Sequence, residues 1–502
     1  MGFSKEDIAV LENHVSNVDS DVYVIKNLPP EVIAVLFAYV SRSPLSFREN
    51  LLKLIKSKDL DIGELVRVYS DKGVEYGEAK EKAKKFHEKW VVGYGHSSVA
   101  EHAVASVALE NVSILATKAI EDTRLASFTE KSTRYQIFDH EKYYRPANVV
   151  SSELAKVYKK TCEMLFGSYL EIMPKMIGYF RKKHPKPKGM DEKIYENVTK
   201  ARACDVARYV LPAATLTNLG MTVNARSLEH MIRKLLSHPL PEMKEIGKNV
   251  KKEVVKIIPT LVKYADFNPY IQETGRAMEG LCEGLEIKEK AKNKPVTLVG
   301  YDKDAENRLV SSIIYRYSHR PYESIMKNVS KMDGKEKQRV FDEYLKRMGV
   351  HDIPMRELEH VYYTFDILID YGAFRDIQRH RICTQTNQEL TTANGYEIPK
   401  EIVKIGFGNK FKQAMDSASS AFEKIREKSP KEAQYVVPLA FRKRTLFTWN
   451  LRELYHFIKL RSGKEGHISY RKIAWDIYNE VKKVHPLLAK YIKVDFSGRP
   501  SR

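Results

Sequence analysis

The chain has 502 residues, of which 43% are hydrophobic and 30% are charged, and its formal net charge at pH 7 is +20. This length is enough for two domains that each bury a core, and the composition is that of a globular protein rather than a disordered or fibrous one. No apolar run approaches the ~20 residues of a membrane-spanning helix, so we expect no membrane span.

The four cysteines are scattered along the chain and form no C-x-x-C pair; they are Cys162, Cys204, Cys282 and Cys383. This pattern argues against a disulfide framework or a metal site and predicts a protein of the reducing cytoplasm. The positive charge fits a polyanionic partner such as nucleic acid or a nucleotide. Because the lysines are spread along the chain rather than gathered in one arm, a solvated basic surface is the favoured interpretation.

The periodicity of apolar residues predicts elements in the following order. An amphipathic helix over residues 1–15 is followed by a β-type run at 22–25 and a helix whose apolar positions are Val32, Val35, Leu36 and Tyr39. Lys-rich helices are predicted within 152–185 and 410–429, a charged linker at 286–295, and a second β-type run at 296–299.

Three sequence blocks occur twice in the same order, which indicates an internal duplication. The block at 37–55 matches 314–332, the block at 95–109 matches 353–367, and the block at 207–235 matches 433–461. In the third block, Pro212 and Pro438 and the following matched pairs all lie 226 positions apart without a gap. We therefore predict a first module over residues 1–290 and a second over 291–502. The third block of each copy reads as an amphipathic helix, with Leu228, Ile232 and Leu235 on one face in the first copy and Leu454, Phe457 and Ile458 in the second.

Several clusters of polar residues are candidates for chemistry. Arg379, His380 and Arg381 put two guanidinium groups beside an imidazole, a combination that suits phosphate oxygens, although a solvated basic turn would look the same. Glu130, Ser132 and Arg134 could grip a phosphate or a base edge, or could form an ordinary polar loop with capping side chains. His96 and His102 could have a functional role, but they equally fit structural histidines. Arg461 could bind an anion, but an arginine at the end of a helix is also a common cap.

Taken together, these segments resemble the flavin-dependent thymidylate synthase family. GHSSVAEH (95–102) is similar to that family's GHxSxxEH segment, and QRHR (378–381) contains its RHR motif. RLASFTEKSTRY (124–135) resembles the stretch from the end of the RHR motif to the Arg-Tyr pair. VNARSLEHMIRKL and WNLRELYHFIKLR resemble the C-terminal NxRxLxxFxxLR helix. The resemblance covers most of both halves of the chain.

Each copy departs from the family pattern in a different place. The first copy has Asp122, Thr123 and Arg124 at the RHR positions, and Leu235 where the family has the helix-end arginine. The second copy has Glu389 where the first has Ser132, and it has Gln434 where the first has Arg208. The losses are complementary, so we expect one composite site that uses the first copy on the nucleotide side and the second copy on the flavin side.

The resemblance implies a role for each matched position. Ser132, Arg134, Arg208 and Glu130 would bind the substrate, and Arg379, His380, Arg381 and Arg461 would complete the catalytic site. Contacts to FAD would come from His96, Ser98, Asn224, Asn450 and His456. Cys383 is interpreted as a packing residue, because the family uses no cysteine nucleophile.

The fold implied is α+β: two tandem modules, each a small twisted sheet with long helices. The activity implied is methylation of dUMP to dTMP with methylenetetrahydrofolate, FAD and NADPH. By analogy with the family tetramer, two chains would form a homodimer that is a pseudo-tetramer. Two alternatives stay open: a related flavin enzyme that acts on another pyrimidine or on nucleic acid, and a non-catalytic relative that binds nucleotides or RNA.

Overall fold

A computed structural model describes residues 3–40, 43–56, 97–285 and 293–498. The chain divides into two compact units. The first comprises Met1–Val112, Ala119–Lys131 and Thr217–Ile287, and the second comprises Ser113–Lys118, Ser132–Leu216 and Lys288–Arg502. The second unit therefore contains the whole second repeat, residues 291–502, and also a long segment of the first repeat.

The described residues form seven strands and nineteen α-helices, together with short 3-10 turns. The strands are β1 (Val104–Ser113), β2 (Ala126–Glu130), β3 (Leu216–Asn224), β4 (Val296–Tyr301), β5 (Tyr362–Asp370), β6 (Thr384–Asn387) and β7 (Arg442–Asn450). Helices α1 to α10 are Lys5–His14, Pro30–Val40, Phe47–Lys56, Ile114–Ile120, Ala147–Val150, Ala155–Lys183, Glu192–Ala207, Ala225–Leu236, Pro241–Val254 and Pro269–Glu283. Helices α11 to α19 are Ala305–Arg316, Tyr322–Val329, Gly334–Leu345, Tyr371–Ile377, Lys400–Lys404, Gly408–Arg426, Leu451–Ser462, Ile468–Val484 and Pro486–Ala489.

The sheet of the first unit has the strand order β1-β3-β2. β2 and β3 are antiparallel, with Ala126 opposite Val223 and Glu130 opposite Leu219. Burial alternates along β3, so one face of the strand packs on the core while the other carries polar residues. β3 leads directly into α8, where Asn224 accepts a hydrogen bond from the backbone N–H of Ser227 and caps the helix.

The sheet of the second unit is fully antiparallel in the order β4-β5-β7-β6. Its last three strands repeat the β1-β3-β2 order of the first unit, and β7 again leads into a helix, α17, that is capped by an asparagine, Asn450. The repeated arrangement confirms the predicted α+β fold built from two related modules.

The structure confirms the predicted β-type run at 296–299, which lies in β4, but the prediction of a strand at 22–25 was wrong. Val22 and Val24 are exposed, and within this run only Ile25 forms a bridge, to Val15. The local β propensity of Val22–Ile25 is therefore not matched by a partner strand among the described residues.

The predicted amphipathic helices are present. Helix α2 buries Val32, Val35 and Leu36, and the Lys-rich stretches form α6 and α16. The two third-block helices bury the predicted apolar faces, which are Leu228, Ile232 and Leu235 in α8 and Leu454, Phe457 and Ile458 in α17. None of the helices among the described residues combines the length and the apolarity needed to cross a membrane.

Candidate active site

Arg134, Asp205 and Arg208 form the first-repeat part of a charged cluster in the second compact unit. Arg134 follows β2, and its backbone N–H donates to Ser132 Oγ at 3.1 Å. Asp205 lies in the last turn of α7, three residues before Arg208, so the two side chains share a helix face. Asp205 Oδ1 is 3.0 Å from Arg134 Nε and 3.1 Å from Arg208 Nη2. One carboxylate thus holds both arginines.

The second-repeat part of this cluster lies on α14. Asp370 accepts a hydrogen bond from Ala373 N at 2.8 Å and caps the helix, which then presents Arg375 and Asp376. Arg375 Nη1 donates to Thr133 Oγ1 at 3.0 Å, and Asp376 Oδ2 is 3.7 Å from Arg208 Nη2. Side chains of the two repeats therefore meet within one compact unit.

The cluster carries a surplus of positive charge. Burial alone would raise the pKa of Asp376, but the guanidinium of Arg208, followed by those of Arg379, Arg461 and Arg134, holds the pKa of this carboxyl below its usual range. Arg134, Arg208, Arg379 and Arg461 thus act on two buried or half-buried aspartates, Asp205 and Asp376, so positive charge exceeds negative charge around these two carboxylates. An anionic phosphate group would be attracted to that charge.

Arg134 and Arg208 remain charged although both are desolvated. Burial works to lower the pKa of each, but Asp205 and Asp376, together with a nearby tyrosine in each case, outweigh it and raise both pKa values above the ordinary range. Only 3% of the Arg208 side chain is exposed, whereas 25% of the Arg134 side chain is. Arg134 is therefore the more accessible of the two cations to a ligand.

Arg461, at the end of α17, is tied to the RHR segment. Its Nε donates to His380 Nε2 at 2.9 Å, and His380 Nδ1 lies 3.1 Å from Glu453 Oε1. Burial lowers the pKa of His380, which is only 4% exposed at its side chain. Arg379 is exposed and Arg381 half-buried, so the three residues of the triplet face different surroundings.

Cys383 is packed beneath the same segment. It is buried, and its Sγ donates to the carbonyl oxygen of His380 at 2.9 Å. This contact fits the interpretation of Cys383 as a packing residue.

A cavity of about 710 Å³ opens beside this cluster. Its cationic and imidazole side chains are Arg134, His351, His456, Lys459, Arg461 and Lys493, and its aromatic ones are Tyr135, Tyr455, Tyr470 and Tyr491. Arg134 comes from the first repeat and Arg461 from the second, so both repeats line the same cavity. The combination of cations and aromatic rings suits an anionic aromatic ligand.

Gly466 is required where it stands in the cavity wall. A Cβ atom at this position would lie 2.6 Å from Tyr470 Cε2 and 3.0 Å from the carbonyl oxygen of Gly463. The guanidinium carbon of Arg461, in turn, lies over the ring of Tyr470, 5.5 Å from the ring centroid. The absence of a side chain at Gly466 therefore lets Tyr470 support Arg461.

The structure brings together Arg134, Arg208, His380, His456 and Arg461 among the predicted site residues. Ser98, Glu130 and Asn224 belong to the first compact unit, where Ser98 is an exposed residue of a 3-10 turn. The side-chain oxygens of Asn224 and Asn450 are used as helix caps. His96 lies outside the described residues.

The equivalent positions in the second repeat form a hydrogen bond and an ion pair with other residues of that repeat. Gln434, at the position of Arg208, accepts a hydrogen bond from Leu390 N at 3.0 Å. Glu389, at the position of Ser132, pairs with Lys431 at 2.6 Å. A carboxylate of the chain itself therefore occupies this surface, and its negative charge would repel a phosphate.

Sequence patterns missed three acidic residues of the site: Asp205, Asp376 and Glu453. A weak indication existed for Asp205, since an aspartate three residues before an arginine on a helix forms an ion pair readily. Asp376 and Glu453 meet their partners through tertiary contacts, which no local pattern reveals.

The fold and the site define a duplicated α+β protein whose basic, aromatic-lined cavity draws residues from both repeats. The chain belongs to the thymidylate synthase complementing protein family, whose family model matches residues 50–260 and again 297–487.

Two relatives are similar over most of this chain and most of their own length. A UPF0159 protein of Chlamydia pneumoniae is 35% identical over 97% of this chain and 94% of its own length. A UPF0159 protein of Thermoplasma acidophilum is 30% identical over 84% of this chain and 90% of its own.

Other relatives match only part of this chain and are named flavin-dependent thymidylate synthases. A flavin-dependent thymidylate synthase of Pyrococcus furiosus is 26% identical over 38% of this chain and 70% of its own length. A solved flavin-dependent thymidylate synthase of Helicobacter pylori, in complex with FAD and dUMP, aligns with 40% of this chain and all of its own at 16% identity and a TM-score of 0.31.

Proposed function

We propose that the protein is a flavin-dependent thymidylate synthase, which moves a methylene group from methylenetetrahydrofolate to C5 of dUMP and uses FAD and NADPH for the reduction to dTMP. The observation that carries this proposal is the charged cluster: Arg134 and Arg208 of the first repeat stand beside Asp376 and Arg461 of the second, next to one cavity. The family match and the named relatives support it.

The nucleotide phosphate is assigned to the surplus positive charge at Arg134. Guanidinium groups bind phosphate oxygens in a fork geometry, and Asp205 Oδ1 forms an ion pair with one nitrogen of Arg134 and one of Arg208, which keeps the two cations close together. Ser132 lies next to this cation and adds a hydroxyl group, and Glu130 belongs to the same segment. In this arrangement the chain contributes orientation and charge, which is the usual role of the protein in a cofactor-dependent reaction.

The residues present fit a flavin in two respects. The cavity of about 710 Å³ lies within the usual range for ligand sites, ~300–1,000 Å³. Its tyrosine rings suit a planar ring system, and its cations suit a pyrophosphate. A bound flavin would supply the reducing equivalents. Of the predicted flavin contacts, His456 lines this cavity, and Arg379, His380 and Arg381 form the segment that is hydrogen-bonded to Arg461, which lines it as well.

The chain's own chemistry would be charge stabilisation rather than nucleophilic attack. Electron density that moves onto a uracil carbonyl oxygen would be stabilised by fixed guanidinium groups in a desolvated site, and Arg461 and Arg134, which line the cavity, would supply that charge. The three buried cysteines do not suit a thiolate role: burial raises the pKa of Cys162 and of Cys204, and Cys383 is buried against a backbone carbonyl.

We extend the proposal to assembly and location. The repeats would derive from modules with a boundary near residue 290, two chains would pair into a homodimer with four modules, and the protein would act in the cytoplasm. The duplicated family match and the repeated strand order support two modules in each chain, so that a dimer of chains would contain four.

Purified protein mixed with FAD, NADPH, methylenetetrahydrofolate and dUMP tests the proposal. The expected result is a bound-flavin absorption spectrum and the formation of dTMP, together with rescue of a thymidine-requiring strain. Bound flavin without dTMP formation would favour another pyrimidine substrate. Salt-sensitive RNA binding without any flavin would favour a non-catalytic relative.

A further inference from the structure

Glu453 stands at the start of α17, with its carboxylate turned toward the RHR segment. Its backbone N–H is capped by Asn450 Oδ1 at 2.8 Å, which fixes the first turn of the helix. The side chain is 16% exposed and its Oε1 lies 3.1 Å from His380 Nδ1. No local sequence motif marks this residue.

The hydrogen bonds around His380 determine which ring nitrogen carries the proton. Arginine has only donors, so the 2.9 Å bond from Arg461 Nε requires a lone pair on His380 Nε2. The proton of the neutral ring must then lie on Nδ1, where the Glu453 carboxylate accepts it. A ring with the proton on Nε2 would direct an N–H toward Arg461 and lose this contact.

The imidazole is confined by its neighbours as well. The ring of Phe457 stands edge-on at a centroid distance of 5.0 Å, and the ring of His456 lies at 5.4 Å. Gln385 Nε2 donates to the His380 carbonyl oxygen at 2.9 Å. Glu453 is thus the polar partner that selects the tautomer of a ring whose position is already fixed by packing.

We propose that Glu453 is a positioning residue: through His380 it holds the Arg461 guanidinium in the orientation that presents it to the cavity. The role assigned to Arg461 toward dUMP rests on the proposed function. The hydrogen-bonded chain from Glu453 to His380 to Arg461 does not.

A comparison of the two repeats supports a linked function for these three residues. The positions equivalent to Glu453, His380 and Arg461 are occupied in the first repeat by Ser227, Thr123 and Leu235. All three hydrogen-bonded residues of the second repeat are therefore replaced in the first repeat, although the capping asparagine is the same in both. Helix capping alone would not require this joint change.

The first experiment measures the tautomer directly and needs no ligand. In full-length protein labelled with ¹⁵N-histidine, long-range ¹H–¹⁵N correlations assigned by their loss in His380→Gln should show a protonated Nδ1 and a bare Nε2. Glu453→Gln should keep this tautomer, because its amide oxygen can still accept, and Glu453→Ala should give a mixture. A wild-type ring that is protonated on Nε2, or on both nitrogens, would overturn the proposal.

The second experiment measures the dissociation constant of dUMP by calorimetry. Glu453→Ala should weaken binding about tenfold, the usual scale for one misdirected charge-assisted hydrogen bond, and Glu453→Gln should stay within about twofold of the wild type. Ser227→Ala, the same helix position in the other repeat, is the matched control and should leave binding unchanged.

The outcomes separate the two proposals. Equal affinities of Glu453→Ala and the control, or a Glu453→Gln variant as weak as Glu453→Ala, would contradict the positioning role. A wild-type protein that binds no dUMP would contradict the proposed function instead, and the tautomer measurement would still decide whether Glu453 sets the state of His380.

Discussion

Pro212 and Pro438 face each other in an antiparallel bridge, although they occupy equivalent positions in the two repeats. The backbone hydrogen bonds around them also come in equivalent pairs. The first pair runs from Ala213 N to Val437 O and from Leu439 N to Leu211 O, and the second from Ala214 N to Tyr435 O and from Ala440 N to Tyr209 O. The same surface of each repeat therefore contacts its own copy, as in a two-fold symmetric dimer.

This internal symmetry explains why the site is composite. Arg208 begins the 3-10 turn that leads into the Pro212 bridge, and the second-repeat helix α14 lies beside the same contact, since Gly372 N donates to Leu439 O. A two-fold axis would create two equivalent sites. Because substitutions differ between the repeats, only one of the two retains the arginines.

The shared site predicts that single changes in either repeat remove activity. Arg134→Ala in the first repeat and Arg461→Ala in the second should each lower kcat/KM for dTMP formation by at least ~100-fold, the scale for removal of one desolvated charge partner. Steady-state kinetics with dUMP measures this. Arg426→Ala, which removes an exposed arginine paired with Glu423 on α16, is the control and should be neutral. Full activity in either site variant would show that the site is not shared.

The sequence predicted the site residues that belong to recognisable motifs, and it did not predict those that join the site only through tertiary contacts. Arg134, Arg208 and Arg461 belong to segments or positions that the family resemblance marks, and the structure brings them together in one cluster. Asp205 and Asp376 neutralise part of that charge through contacts in space, so their role depended on the fold. The error at Val22 and Val24 has a related cause, since β propensity says nothing about a partner strand.

The substitutions in the second repeat predict one nucleotide per chain. The Glu389–Lys431 pair and Gln434 occupy the positions that hold Ser132, Asp205 and Arg208 in the first repeat. Calorimetric titration with dUMP should therefore give a stoichiometry of one. Arg134→Ala should abolish that binding, whereas Thr391→Ala, at the equivalent position of the second repeat, should not affect it. Two binding events per chain would mean that both sites are retained.

Asp376 should stabilise the fold at neutral pH. Burial opposes its ionisation, but Arg208 and the other arginines lower its pKa below the ordinary value, so the carboxylate form is favoured in the folded state. Asp376→Asn should lower the free energy of unfolding by about 3 kcal/mol, because it leaves buried guanidinium charge uncompensated. Chemical denaturation of both proteins, with the exposed Asp139→Asn as control, measures the difference.

The pH dependence of that difference follows from the lowered pKa of Asp376. A depressed folded-state pKa contributes stability that is fully present above the unfolded value of ~3.9 and is lost only as the pH falls through the folded pKa. The loss caused by Asp376→Asn should therefore be constant between pH 7 and pH 5. A loss that shrinks over this range would indicate a raised pKa and would contradict the charge balance described for the cluster.

The charged side chain of Lys443 should have the opposite effect on stability, and this effect should disappear at alkaline pH. This β7 residue is 9% exposed, and its ammonium lies 5.1 Å from the ring centroid of Phe374 and 5.8 Å from that of Tyr371. Burial lowers its pKa to about 8, although Glu389 works to raise it. Protonation of a lysine with a depressed folded-state pKa favours the unfolded chain, so the ammonium destabilises the fold below pH 8, and this cost disappears as the pH rises toward the unfolded value of ~10.4.

Lys443→Met should consequently stabilise the protein by about 3 kcal/mol at pH 7, since a tenfold change in proton affinity corresponds to ~1.4 kcal/mol and methionine fills a similar volume. Denaturation at several pH values should show the gain shrinking between pH 8 and pH 10. Lys482→Met, which changes an exposed lysine on α18, should have little effect at any of these pH values. A gain that does not vary with pH would assign the stabilisation to packing, and a loss would mean that the Lys443 ammonium itself stabilises the fold through its contacts with the two rings.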